Sequence, residues 1–115
     1  MIQLAEEYTP EPVSPVFAPG QLVHHQRYGY RGVVVAYDAN CRASREWYLS
    51  NMTQPPLDQP WYHVFVDGGT HTTYVAESSL KADSSGVPIA HPLLPHFFTA
   101  FEAGSYLRND RPWGQ

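Results

Sequence analysis

The chain has 115 residues, of which 43% are hydrophobic and 16% are charged, and its formal net charge at pH 7 is −4. This length suits one domain with a real core and excludes two. Eleven prolines and eight glycines beside so little charge favour short strands and turns over long helices. The single cysteine, Cys41, excludes an internal disulfide. No apolar segment has the length of a leader or a membrane span, so we expect a cytoplasmic protein that does not enter a membrane.

Charge is distributed unevenly along the chain. Residues 1–16 carry three prolines and three acidic side chains, no Lys or Arg, and no periodic pattern. This composition is typical of a flexible tail. The body at residues 17–82 holds five basic and five acidic side chains and is therefore neutral. Most of the acidity belongs to the tail, and the body has no bulk basic character that would favour nucleic acid.

The strongest strand signal lies at residues 22–38. Two apolar runs, residues 22–23 and 33–37, flank a polar corner that contains Gly29 and Gly32. Glycine supplies the positive φ angles or close approaches that a tight corner needs. The second run is apolar on both parities, with Val33, Val35 and Tyr37 on one face and Val34 and Ala36 on the other. It therefore predicts a strand that is covered on both faces.

The middle of the chain continues the strand pattern after one short helix. Ser44 is placed to cap that helix, with Glu46 in its first turn and Trp47 facing inward. The proline-rich residues 51–60 disfavour both helix and strand. Residues 61–66 and 72–76 then read as strands joined by a hairpin turn at residues 67–70. Residues 20–82 are therefore predicted to form a meander of four or five short strands, as in a small closed or half-open barrel.

The C-terminal third has a different pattern. Leu94, Phe97, Phe98 and Phe101 fall at i, i+3, i+4 and i+7. This stripe predicts a short helix that starts near Pro95, ends at Gly104 and buries its phenylalanines on the outer face of the sheet. The stripe lacks flanking Lys or Arg, which argues against a helix lying on a membrane. Residues 105–115 are expected to strap across the barrel or a neighbouring subunit.

The corner at residues 24–31 is the best candidate binding surface. It concentrates cationic and aromatic side chains, namely His24, His25, Arg27, Tyr28, Tyr30 and Arg31. Arginine and histidine donors beside tyrosines suit phosphate contacts and base stacking. The alternative is a turn whose tyrosines pack the end of the barrel while its arginines pair with Asp38 or Glu46. Residue content alone favours this alternative.

A second candidate surface is the aromatic strand that carries Trp61, Tyr62 and His63. Trp61 and Tyr62 must point to opposite faces, so at least one of them faces the core. Six histidines and one cysteine show no paired zinc-site spacing, and Cys41 has no orienting partner for thiol chemistry. No phosphate-binding glycine loop or nucleophile elbow is present. We therefore expect a binding protein without a metal, cofactor or catalytic residue.

The order of these motifs resembles that of a known family, the HspQ/YccV-like domain, over residues 17–80. The matching segments are residues 20–35, Asp38 with Cys41, residues 46–48, residues 59–64, and residues 73–77 with Leu80. Residues 89–106 are similar to the extension found in longer members. On this basis we divide the chain into a tail at 1–16, the domain at 17–82, and a C-terminal extension at 83–115.

The resemblance implies a small SH3-like β-barrel, all-β, with the short C-terminal helix packed on it. It also implies a cytosolic heat-shock protein that binds hemimethylated double-stranded DNA in replication control, or an adaptor for an ATP-dependent protease of the Lon or Clp type. Homo-oligomers, trimers in particular, are expected for such proteins. The signature residues Arg27, Tyr28, Tyr30 and Arg31, with the Trp61–His63 strand, are the candidate DNA or partner contacts.

Overall fold

The structure is a computed structural model and describes residues 14–114. Most of the tail expected at residues 1–16 therefore lies outside the described residues. The regular elements are strands β1 (Leu22–His25), β2 (Arg31–Asp38), β3 (Trp61–Val66), β4 (Thr72–Ala76), β5 (Leu80–Ala82), β6 (Phe98–Glu102) and β7 (Ser105–Arg108), helices α1 (Arg45–Ser50) and α2 (Leu94–Phe97), and a 3₁₀ turn (Glu77–Ser79). Among the described residues no helix is long and apolar enough to cross a bilayer.

The strands form two antiparallel sheets. Five of them make one sheet in the order β4-β3-β2-β1-β5, and β6 pairs with β7 in a separate hairpin. The expected β content is confirmed, and β1 to β4 form the expected meander, whereas β5 returns to pair with β1. The sheet is not closed into a barrel within residues 14–114, because β4 and β5 are its two edges and do not pair. The finer SH3-like assignment therefore stays a prediction.

Both faces of the five-stranded sheet are buried, as the two-sided apolar pattern predicts. One cluster comprises Phe17, Val23, Val34, Tyr62, Val64, Val75 and Leu80. The other comprises Leu22, Val33, Val35, Phe65, Ile89 and Phe98, with Trp113 packed against it. We call them the first and the second core cluster. Because alternate residues of a strand serve opposite faces, β2 and β3 contribute to both clusters.

A bulge in β2 changes the expected face of one residue. The register between β2 and β3 shifts between Val34 and Ala36. Tyr37 consequently pairs with Tyr62 and its ring lies 6.2 Å from the Tyr62 ring, on the side of the first core cluster. The prediction that Tyr37 shares a face with Val33 and Val35 is wrong, because an extra residue in a strand inverts the parity that follows it.

The two glycines of the corner have the two expected roles. Gly29 has a φ of 76° in the β1–β2 turn, where a side chain would be strained. Gly32 lies in β2, and a Cβ there would sit 2.4 Å from the backbone oxygen of Phe65. Gly32 thus permits the close approach of β2 and β3.

The predicted C-terminal helix is wrong over most of its length. Helix α2 is a single turn that ends at Phe97, and β6 begins at Phe98. Ala103 and Gly104, with φ of 53° and 81°, form the two-residue turn to β7, the pairing of positive φ angles typical of a type I′ hairpin.

The reason for this error lies in the strand itself. A register shift between Phe98 and Ala100 lets Phe98 and Phe101 both contact the Tyr106 ring, at 5.4 and 4.6 Å. A bulged strand places i and i+3 on one side, which imitates the spacing of a helical stripe. The phenylalanines are still buried against the sheet, as their apolarity requires.

Candidate recognition surface

The turn between β1 and β2 is organised around the imidazole of His25. This side chain is buried, and its Nδ1 accepts hydrogen bonds from the backbone N–H groups of Arg27 and Tyr28, each at 3.1 Å. Its ring stacks on Tyr28 at 4.6 Å and contacts Tyr30 at 5.2 Å. Burial, and then the nearby Arg27 charge, lower the pKa of His25. The imidazole is therefore neutral near pH 7 and acts as an acceptor that shapes the turn.

The side chains of the turn differ in exposure. Tyr28 is 51% exposed, its hydroxyl lies 3.9 Å from the Met52 sulfur, and the Arg27 guanidinium lies 5.8 Å from its ring centre. Tyr30 packs against the first core cluster, and its hydroxyl lies 3.0 Å from Oγ1 of Thr73 in β4. Arg27 and Tyr28 are thus presented outward, whereas Tyr30 anchors the turn to the sheet.

A cleft of about 560 Å³ opens between this turn and β4. All five residues of β4 line it, and the loop after α1 supplies the opposite wall with Asn51, Met52, Thr53 and Pro55. Aromatic rings line it at Tyr28, Tyr30, Trp47, Trp61 and Tyr74. Within the described residues the lining contains no Asp, Glu, Lys or Arg. We call it the β4 cleft, an uncharged groove lined by aromatic and neutral polar side chains.

Helix α1 brings Trp47 to this cleft. The Oγ of Ser44 accepts a hydrogen bond from the Trp47 N–H at 3.1 Å, which confirms the predicted cap. The Trp47 ring then lies 6.1 Å from that of Trp61 and 5.7 Å from that of Tyr74. Trp47 is half-buried in this aromatic group and faces inward, as expected.

Arg31 lies outside the β4 cleft and pairs with two acidic side chains. Its Nε lies 2.8 Å from Asp83 and its Nη1 lies 3.3 Å from Asp67, and its Nη2 donates to Ser85 and to the carbonyl of Val87. Burial tends to raise the pKa of Asp83, but hydrogen bonds from Ser85 and Arg31 outweigh it and lower that pKa. Arg31 thus holds the segment after β5 against the start of β2 and the end of β3, and its partners are not the Asp38 or Glu46 suggested by the sequence.

The nine predicted site residues do not form one surface. Strand alternation places His25 and Tyr62 on the side of the first core cluster. The opposite side of the sheet, that of the second core cluster, carries His24, Arg31, Trp61 and His63. Trp61 and Tyr62 are both buried, at 2% and 0% exposure. The structure therefore brings together His25, Arg27, Tyr28 and Tyr30 at the rim of the β4 cleft, and of the other five only Trp61 lines the cleft, as a buried ring in its wall.

His63 takes part in a separate polar network. Oδ2 of Asp38 accepts a hydrogen bond from the Tyr74 hydroxyl at 2.6 Å and lies 3.3 Å from Nε2 of His63. Burial lowers the pKa of His63, and Asp38 opposes this shift without reversing it. Burial, and then the hydrogen bond to Asp38, raise the pKa of Tyr74. Asp38, His63 and Tyr74 lie in β2, β3 and β4, so the network joins these three strands. In residues 14–114 no three acidic, histidine or cysteine side chains converge as a metal site.

Most of the residues that line the β4 cleft were missed by the sequence interpretation, and Met52, Thr73 and Tyr74 show why. Met52, which is 80% exposed, lies in a proline-rich segment without periodicity, and no local pattern marks it. Thr73 and Tyr74 were assigned only to a strand. Their common position on an edge strand follows from the strand order and from nothing in their own segment.

The fold and site define a small antiparallel β domain that presents an aromatic turn beside an uncharged cleft. Residues 15–105 match the family described as "Hemimethylated DNA-binding protein YccV like", and the chain belongs to this YccV-like family. The family assignment from sequence is confirmed. The match also continues through the turn of the β6–β7 hairpin.

Curated relatives contain a similar segment within longer proteins. F-box only protein 21 of human, Sumatran orangutan (Pongo abelii) and mouse is in each case 31% identical over 97 residues, which is 81% of this chain. The chain spans only 15% of the length of these relatives. The similarity therefore concerns one domain of each relative.

Proposed function

We propose that this chain is a non-enzymatic recognition domain that binds double-stranded DNA methylated on one strand. The observation that carries the proposal is its membership of the YccV-like family, whose description names hemimethylated DNA binding. The exposed end of the β1–β2 turn supports it. Arg27 is free to approach a phosphate, and the adjacent Tyr28 ring offers an apolar surface to a base methyl group in the major groove.

Few other cations assist this turn. Lys81 pairs with His24 across β5 and β1 and is exposed, while Arg31 is occupied by Asp67 and Asp83. Each neutralised phosphate adds about one to the slope of log affinity against log salt. We therefore expect a small salt slope, and discrimination that rests on the methyl contact more than on charge.

The test is fluorescence anisotropy with three otherwise identical duplexes, which are unmethylated, methylated on one strand, or methylated on both. Each duplex is titrated at several salt concentrations. We expect the strongest binding to the half-methylated duplex. Arg27→Ala should weaken all three complexes and reduce the salt slope by about one, and Tyr28→Ser should reduce the preference among the duplexes.

The matched control is Arg111→Ala. It removes the same charge from the C-terminal segment, where Arg111 lines a different groove together with Tyr37 and Trp113. This variant should bind all three duplexes as the unmodified chain does. Equal affinity for the three duplexes, or no binding near physiological salt, would refute DNA recognition by this chain.

A second function is favoured by the uncharged, aromatic β4 cleft, which suits protein better than a phosphate backbone. In this function the chain is an adaptor or specificity factor for an ATP-dependent protease of the Lon or Clp type in the heat-shock response. A cytoplasmic location and a homotrimer belong to the same proposal. Substrate degradation rates measured with and without the chain test the adaptor role, and sedimentation equilibrium over a range of concentrations tests the trimer.

A further inference from the structure

The outer edge of β4 carries backbone groups that are ready for another strand. Its ladder with β3 has hydrogen-bonded pairs at both ends, where Val66 donates to His71 and Glu77 donates to Pro60. Antiparallel pairs alternate between bonded and non-bonded positions. The N–H and C=O groups of Thr72 and Tyr74 therefore point away from β3, and within residues 14–114 no backbone hydrogen bond is formed by them.

This edge is open along part of its length. Ala76 is only 1% exposed, whereas Thr72 is exposed and Tyr74 is half-buried. Four main-chain groups, two donors and two acceptors on Thr72 and Tyr74, therefore remain for a partner. Unpaired strand edges of this kind are templates for β-strand addition.

The cleft beside the edge determines what kind of strand fits. Its walls are formed by Tyr28 and Met52, which are both exposed, and by Trp47. The lining carries no charged side chain among the described residues, and burial lowers the pKa of its one imidazole, His25. The absence of charge disfavours a charged side chain of the partner strand, and the aromatic rings favour an apolar one on this side.

We propose that the β4 cleft binds a short extended peptide segment of another protein by β-strand addition to Thr72–Tyr74, with an apolar or aromatic side chain of the peptide in the cleft. The spacing of the main-chain donors and acceptors selects a polypeptide over a nucleic acid, which has no such repeat. The proposal deepens the second proposed function, protein recognition, and does not depend on DNA binding.

The probe is a fluorescein-labelled heptapeptide with alternating threonine and apolar residues, Thr-Val-Thr-Phe-Thr-Val-Thr, titrated against the full chain. Two further versions carry N-methyl groups, one on the odd and one on the even positions. Only one of these sets can face β4, because successive N–H groups of a strand point in opposite directions. One N-methylated peptide should bind about as well as the parent, and the other should bind at least tenfold more weakly.

A variant pair in the chain tests the same ladder from the other side. Thr72→Pro removes one outward N–H and leaves the bonds to β3 intact, which an edge strand tolerates. Thr72→Val is the matched control, since it keeps that N–H and a similar side-chain shape. We expect Thr72→Pro to weaken peptide binding about three- to tenfold and Thr72→Val to leave it unchanged.

Amide hydrogen exchange supplies an independent readout. Bound peptide should slow the exchange of the Thr72 and Tyr74 amides. The Arg111→Ala variant is the control, and we expect it to bind the peptide with the affinity of the unmodified chain. Equal weakening by both N-methylated peptides would overturn strand addition. Slow exchange of the Thr72 and Tyr74 amides in the chain without peptide would overturn it too, at any protein concentration, because the edge would then already be paired. Peptide binding without any effect on a protease would refute the adaptor function and leave this proposal standing.

Discussion

Replacement of His25 tests how the β1–β2 turn is held. The imidazole accepts two backbone hydrogen bonds at 3.1 Å, stacks on Tyr28 and contacts the ring of Tyr30. A hydrogen bond to an uncharged acceptor contributes about 1 kcal/mol, and aromatic contacts of this kind add about another 1 kcal/mol. We expect His25→Ala to lower the free energy of unfolding by about 2–3 kcal/mol, which is about 10–15 °C in Tm for a domain of this size.

The matched variant is His25→Asn. The Oδ1 atom of asparagine takes nearly the same position as Nδ1 of histidine, so it accepts the same two N–H groups while the ring contacts are lost. We expect this variant to lose about 1 kcal/mol only. Thermal unfolding followed by circular dichroism at pH 7.5 measures both variants. An equal loss in His25→Ala and His25→Asn would show that the acceptor does not hold the turn.

The pH dependence tests the same assignment. Because the pKa of His25 is lowered in the folded state, the unfolded chain takes up the proton first as pH falls. The contribution of neutral His25 to the free energy of unfolding is complete above about pH 6.5, which is the histidine pKa in the unfolded chain. It is lost as pH falls below that value toward the pKa in the folded state. His25→Asn should show a shallower decline between pH 7 and 5 than the unmodified chain, and the slope that remains includes His63. Identical profiles would refute the reasoning.

Three further predictions concern the frame around the site. Gly32→Ala should destabilise the protein by more than about 3 kcal/mol in chemical denaturation, because the new Cβ meets the Phe65 backbone; a normal midpoint would contradict the close approach. Arg31→Met should lower stability by about 1–3 kcal/mol near pH 7, and less below the Asp83 pKa, since protonation removes the unpaired charge left there; a loss that is the same at low pH would contradict the clamp. Ala103→Gly should raise the free energy of unfolding by about 0.5–1 kcal/mol, and with it Tm, because φ at this position is 53°. A lower Tm would contradict the type I′ turn.

Local patterns predicted most of the strands correctly. Residues 61–66 and 72–76 were assigned from their apolar content and the turn between them, and both match β3 and β4. The Ser44 cap was also correct. These features depend on side chains that act within a few residues of each other, and therefore a single segment contains the information.

The bulged strands could not be assigned in the same way. In β6, Phe98 and Phe101 reach one side because one residue is left out of the pairing with β7, and the pairing partner is needed to know this. The same holds for Tyr37 in β2. A spacing of three residues on one side fits a helix and a bulged strand equally well.

The sequence by itself determined that the chain is a small antiparallel β domain of the YccV-like family with a cationic and aromatic first turn, because apolar alternation, glycine positions and motif order are local properties. Only the tertiary structure decided which of the turn's side chains are available. In the folded chain Arg31 pairs with Asp67 and Asp83, and Trp61 and Tyr62 are buried. Strand β4 lies at the edge of the sheet, beside Tyr28 and Met52. Those outcomes depend on contacts between residues far apart in the chain, and such contacts exist only once the strand order is set.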